Sequence, residues 1–186
     1  MQLQRELFVK QQTRFFMPSV YVLKRVQRLP ITVEQAWSFF SHPQNLFELT
    51  PPALNLKFTN ELFGEAMYPG QVITYNVKPL LGIPLFWMTE ITHIDKPHFF
   101  VDEQRRGPYS LWHHEHHFKQ IAGGVEMTDL VHYALPLGVL GRFAHALLVK
   151  KQLQQIFDYR YQKIEQLFGA FEEGPRVVNL TTRTRT

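Results

Sequence analysis

The sequence predicts an α+β domain in which a curved, seven-stranded antiparallel sheet is wrapped around one long C-terminal helix, with two short helices after strand 1. Three observations carry this reading. Six strand-like runs follow one another from Leu54 to Leu135 with only glycine and proline turn signals between them, the pattern of an antiparallel meander. Another alternating run, SVYVLKRVQRL at Ser19 to Leu29, precedes them. A helical stripe then closes the chain, and at roughly 1.5 Å per residue its roughly 30 residues reach about 45 Å, enough to lie across a sheet. A strongly bent sheet and a straight helix do not touch along their whole length, so a cavity is expected between them.

Residues 1 to 16 carry a loose helical pattern, Leu3, Leu7, Phe8 and Phe15, without a cap, and are read as an appendage to a domain spanning 17 to 171. After the first strand, Pro30 stops the run. Thr32 and Gln35 form a capping box ahead of Val33, Ala36, Trp37 and Phe40 at helical spacing. His42-Pro43 breaks that helix, and Gln44 to Leu49 forms one more turn before Pro51-Pro52. The six strands of the meander are placed at Leu54 to Thr59, Gln71 to Lys78, Leu85 to Ile94, Phe99 to Gln104, Tyr109 to Ile121 and Val125 to Leu135. The helical stripe runs through Phe143, Leu147, Leu153, Ile156, Phe157, Arg160, Ile164, Leu167, Phe168 and Phe171. From 172 to 186 the tail EEGPRVVNLTTRTRT loses periodicity and is read as disordered.

Composition narrows the function classes. The 186 residues suit one domain that buries roughly 70% of its unfolded surface. The 16 Phe against 10 Gly suit the wall of an apolar pocket, although a phenylalanine-rich core would use them equally well. Without cysteine there are no disulfides, thiolate metal sites or cysteine nucleophiles. The start has no uninterrupted apolar region, and the longest apolar stretch, Ala134 to Val149, is broken by Pro136, Arg142 and His145; a cytoplasmic protein is expected. The formal charge of +4 owes much to Arg176, Arg183 and Arg185 in the tail, and Lys150-Lys151 near Arg142 resembles a solvated helix face more than a nucleic-acid site. Neither GxSxG nor GxGxxG occurs.

The chemistry concentrates in Gly107 to Phe118, GPYSLWHHEHHF. On a strand, Trp112, His114, His116 and Phe118 share one face, and the bounding aromatics turn that face inward. His113, Glu115 and His117 fall on the other face, toward solvent. Two inward imidazoles must be hydrogen-bonded, metal-bound or open to a ligand. A two-residue loop at Ala122-Gly123 sets Trp112 opposite Tyr133, His116 opposite Asp129 and Phe118 opposite Met127, with Val131 on the same face. Asp102, Glu103, Arg105 and Arg106 are expected as an ion-paired rim at the end of the neighbouring strand, with one of them meeting the polar head of a ligand at the cavity mouth as the alternative.

The matching pieces His42-Pro43-x-Asn45-Leu46 with Thr50-Pro51-Pro52, Phe100-Val101-Asp102-Glu103-Gln104 with Gly107-Pro108-Tyr109, Trp112-x-His114-x-His116-x-Phe118, Met127-x-Asp129-x-Val131-x-Tyr133, Pro136-Leu137-Gly138-x-Leu140-Gly141 and Ile156-Phe157-Asp158-Tyr159-Arg160 cover about residues 17 to 165. With the element order, they resemble the SRPBCC (START/Bet v 1-like) superfamily, in particular its bacterial ligand-binding members related to polyketide cyclases and lipid-transport domains. The resemblance implies a helix-grip fold and a hydrophobic cavity that takes a lipid, isoprenoid or polyketide-like molecule.

Trp112, His114, His116, Phe118, Met127, Asp129 and Tyr133 are therefore the expected ligand-binding residues, and Trp37 and Trp87 are further wall candidates with core packing as their simpler use. An alternative is a cyclase- or aromatase-type enzyme with His116 and Asp129 as its acid/base pair. A third reading is a partner-binding module similar to coenzyme Q chaperones. His114 and His116 are spaced to share a metal with Asp129 or a neighbouring side chain, but no HExxH-like spacing supports one, and neither metal nor cofactor is expected. The apolar, glycine-hinged segment Pro136 to Gly141 would lie near the entrance and could touch a membrane transiently. A monomer or weak dimer is expected.

Overall fold

The computed structural model describes residues 19–61, 66–80, 82–136, 148–172 and 180–184. Strand β1, Val20–Leu29, leads through Pro30 into helix α1, Val33–Phe40. The capping box closes as the sequence requires: the Gln35 backbone N–H donates to Thr32 Oγ1 at 3.2 Å, and the Thr32 backbone N–H donates to Gln35 Oε1 at 2.9 Å. Helix α1 buries Val33, Ala36, Trp37 and Phe40.

Two short 3₁₀ turns follow, Pro43–Leu46 and Pro52–Leu54, each begun by a proline whose fixed φ suits the first position. The second expected helix is thus a 3₁₀ turn. The strand expected from Leu54 is reduced to β2, Lys57–Phe58, because the prolines coil the chain through Leu54 and Asn55 closes the turn at φ 46°.

The meander then runs through β3, Val72–Leu80, β4, Ile83–Asp95, β5, Phe99–Arg106, β6, Leu111–Ile121, and β7, Gly124–Ala134. The β6–β7 loop is the two-residue Ala122-Gly123, with Gly123 at φ 77°, and it sets His116 opposite Asp129, Trp112 opposite Tyr133 and Phe118 opposite Met127. Strand β1 returns to pair with β7 from Val20↔Ala134 to Leu29↔Val125. Register shifts between β4 and β5, at Met88/Thr89 and Ile91/His93, bend the sheet.

All seven expected strands are present, and an eighth, β8, Leu180–Thr184, pairs antiparallel with the outer side of β1. The sheet order is β2-β3-β4-β5-β6-β7-β1-β8. The tail expected to be disordered therefore contributes backbone to the sheet. Its Thr-rich LTTRT segment has β-branched residues suited to a strand, and it covers hydrogen-bonding groups that β1 would otherwise present at an edge.

Helix α2, Lys150–Phe168, lies on the concave face and buries Leu153, Phe157, Arg160 and Ile164. At one end, Trp37, Phe40, Phe100, Phe118, Met127 and Ile164 share one core cluster. A second cluster joins Tyr21, Leu23, Val131 and Tyr133 to Leu153 and Phe157 of the helix. The third, on the far strands, contains Leu56, Ile73, Tyr75, Val77 and Ile91 without a residue of α2, so helix and sheet separate there. No helix among the described residues is long and apolar enough to cross a membrane. Residues 1–16, Leu137 to Gly141 of the expected hinge, and the helical-stripe residues Phe143 and Leu147 lie outside the described residues.

Candidate functional site

Where helix and sheet part, a cavity of ≈ 320 Å³ opens. Its wall is largely apolar: Leu46, Leu49, Leu54, Leu56 and Met67 come from the α1–β3 connection, Ile73, Tyr75, Val77, Leu85, Trp87 and Ile91 from β3 and β4, and Leu153, Ile156 and Phe157 from α2. Strand alternation explains the inward set on β3, since Ile73, Tyr75 and Val77 are each two residues apart and buried. Trp87 stacks on Tyr75 at 6.0 Å and meets Trp112 edge-on at 5.3 Å, forming an aromatic corner.

Besides His42, Asn45, Thr50, Thr89 and Gln152, the polar wall holds a charged cluster of Asp102, His114, His116 and Arg160, backed by Asp129. Asp102 lies opposite His114 across β5–β6, and Asp129 lies opposite His116 across β6–β7, so a carboxylate flanks the histidine pair on each side. His116 Nε2 donates to Asp102 Oδ2 at 2.9 Å, and its Nδ1 stands 2.9 Å from Asp129 Oδ1. His114 Nε2 donates to Asp129 Oδ1 at 3.1 Å; its other nitrogen, Nδ1, stands 3.4 Å from Asp102 Oδ2. Arg160 Nη2 donates to Asp129 Oδ1 at 3.4 Å and passes His116 Nδ1 at 3.5 Å. The two imidazoles lie 3.7 Å apart, and Phe100 stacks on His116 at 4.2 Å.

These contacts decide the charges. Burial opposes ionisation of Asp129, but the Arg160 charge and the hydrogen bonds from His114 and His116 outweigh it and hold the carboxyl well below its ordinary 3.8. Burial likewise works against Asp102, yet His114, His116 and Arg160 keep it below the ordinary value. For His116, burial favours the neutral ring, but hydrogen bonds and charge from both aspartates prevail and raise it above 6.5. His114 moves the other way: burial and the like charge of His116 lower it, and the aspartates do not make up the difference. These shifts favour two carboxylates facing the Arg160 guanidinium and a proton held on His116 rather than on His114.

Asp102, His114 and His116 also bring three metal-donor atoms within 4.8 Å of one another. A divalent ion there, with both rings neutral and Arg160 still charged, would leave the buried cluster one positive charge in excess. The proton arrangement balances it without that excess.

Of the seven expected ligand-binding residues, Trp112, His114 and His116 line the cavity. Phe118 and Met127 pack in the core beside α1, Tyr133 packs against Tyr21 and α2, and Asp129 sits behind the histidines. Trp87 lines the cavity, whereas Trp37 is a core residue. On the outer face, His113, Glu115 and His117 are half-buried rather than free in solvent: His113 pairs with Glu103 at 2.9 Å and His117 with Glu115 at 2.9 Å.

The sequence does not join two residues to the histidine cluster. Asp102, one of four strand-end charges expected at the rim or against a ligand's head, shares the face of Phe100 and turns inward to the histidines. Arg160 was read only as part of the helical stripe. A guanidinium inside an otherwise apolar stripe was the available signal, because such a group is buried only with a partner.

No protein-family model and no curated protein matches the chain. Solved structures do. A Mycobacterium smegmatis protein is similar over 78% of this chain and 89% of its own, with a TM-score of 0.58 at 17% identity. A Chromobacterium violaceum protein is similar over 81% of this chain and 99% of its own, with a TM-score of 0.60 at 10% identity. The allergen Ara h 8.0201 is similar over 79% of this chain and 99% of its own, with a TM-score of 0.54 at 15% identity. These likenesses show the fold, a helix grip of the Bet v 1-like type.

Proposed function

We propose that this protein binds a hydrophobic small molecule between its sheet and helix α2. The observation that carries the reading is the ≈ 320 Å³ cavity, walled mainly by aliphatic and aromatic side chains, with a buried histidine–aspartate–arginine cluster among its polar residues. Affinity would come from removing ligand carbon from water at about 25 cal/mol per Å², and orientation from the few polar atoms on the wall. Isoprenoid, acyl and polyketide-like bodies all suit such a wall. Native mass spectrometry of freshly purified protein should show an adduct that denaturation releases, and the emptied protein should bind a naphthyl probe. Protein that carries no adduct and takes up no such probe would end this reading.

A second reading, acid/base catalysis on the bound molecule, rests on the pairing of an imidazole with a carboxylate. His116, the expected base, has a carboxylate at each nitrogen and favours its charged form, which makes it a poor proton acceptor. His114 has the more suitable arrangement, with Asp129 orienting one nitrogen and the other on the side of the cavity-lining Asp102. Turnover of a polyketide-like or ester substrate that survived His114→Gln unchanged would remove the catalytic version and leave binding intact.

A further inference from the structure

The polar cluster restricts what the head of a bound molecule can be. This step rests on the binding reading above and adds the chemistry of the ligand's polar end. His114 Nε2 is held by Asp129, which is not part of the cavity wall, while Nδ1 lies on the side of Asp102, which is. At 3.4 Å and without hydrogen-bond alignment, the Nδ1–Asp102 contact is no substitute for a donor. Among the described residues, Asp102 engages His116 through Oδ2 only, so its second oxygen, Oδ1, is also a lone-pair site. Of the cluster's donors, both nitrogens of His116 face carboxylates and Arg160 Nη2 is directed at Asp129 and His116, while Arg160 Nε is buried without a partner among the described residues.

The geometry points to a ligand whose buried end is an uncharged hydrogen-bond donor, a phenolic, enolic or alcoholic hydroxyl, seated against His114 Nδ1 and Asp102 rather than a carboxylate or phosphate seated on Arg160. Two physical effects select it. A hydroxyl gives the unmatched acceptors the proton they lack, whereas an ether or an alkane leaves them buried and unpaired. An anionic head would add a third negative group beside Asp102, with Arg160 and His116 already balanced by the two aspartates. The neutral state of His114 agrees with its lowered pKa, and the facing charged groups are Asp102 on β5, His116 on β6, Asp129 on β7 and Arg160 on α2. The basic overall charge of the chain would suggest an acidic ligand; the cluster argues against one.

Three probes with the same naphthyl body separate the possibilities at pH 6.5: 2-naphthol, 2-methoxynaphthalene and 2-naphthoate. The expected order is 2-naphthol first, at least about tenfold tighter than the methyl ether and on the order of a hundredfold tighter than the carboxylate. In ¹⁵N NMR of the unaltered protein, 2-naphthol should shift the Nδ1 resonance of His114 and leave its Nε2 proton in place, a measurement that needs no variant to fold. His114→Phe, where it folds, should bring the naphthol and ether affinities together. Equal binding of all three probes, or preference for 2-naphthoate, would overturn the inference while leaving hydrophobic binding intact. Failure of all three to bind would instead overturn the binding reading on which it stands.

Discussion

Asp129 is the hinge of the buried cluster, because its Oδ1 alone faces His114 at 3.1 Å, His116 at 2.9 Å and Arg160 at 3.4 Å. Replacing it with Asn removes one negative charge and leaves a guanidinium and an imidazolium sharing a single carboxylate, so Asp129→Asn should destabilise the fold by about 3–5 kcal/mol near pH 6. The pH dependence has a definite sign. Because the folded pKa of Asp129 is depressed, its contribution is complete above about 3.8 and is lost as pH falls through the lower folded value. His116 is raised, so its contribution is complete below about 6.5 and is lost as pH climbs through the folded value. His114, lowered, opposes this below 6.5, since the unfolded chain takes up its proton first. Urea unfolding of both proteins across pH should show the stability gap closing in acid below pH 3.8. A gap that stayed constant down to pH 2 would show that Asp129 acts only by packing.

At the scale of elements, the β6–β7 hairpin was legible because its turn chemistry and alternation agree. Gly123 supplies the left-handed position at φ 77°, and a two-residue loop then fixes which residues oppose which. Gly124 has another use that no turn signal announces: a Cβ there would stand 2.0 Å from the Leu29 carbonyl oxygen on β1. Gly124→Ala should therefore force β1 and β7 apart and cost about 1–3 kcal/mol, seen as a lowered urea midpoint with an unchanged m-value. The 3₁₀ turns were less legible, since an apolar run such as Leu54 to Thr59 has no period that separates a short strand from a coiled turn. The inward face of β6 could be read from Trp112 and Phe118, but Asp102 and Arg160 could not be joined to it. The β4–β5 bulges and the pitch of α2 decide those approaches, and both are tertiary. Strand β8 was missed for a similar reason: a polar, Thr-rich tail becomes a strand only when an open edge lies beside it.

For the whole molecule, the separation of helix and sheet at the far strands sets function against stability. Ile73, Tyr75, Val77 and Ile91 form a core cluster yet also line the cavity, so their inner surfaces serve the fold on one side and a ligand on the other. A protein selected for stability alone would bring larger side chains into that space, and keeping it open is the kind of cost a binding site imposes. Val77, buried on β3 two strands from Asp102 on β5 and outside the histidine–aspartate cluster, is a suitable place to test this. Val77→Phe should extend into the cavity and raise stability by about 0.5–2 kcal/mol, while the naphthyl probes lose most of their affinity and the polar cluster keeps its imidazole ¹⁵N resonances. Thermal unfolding with probe titration on the same sample measures both. If Val77→Phe were destabilising by more than about 1 kcal/mol, the region would be packed to capacity like an ordinary core. If it stabilised the fold without weakening the probes, the ligand would have to lie elsewhere along the helix.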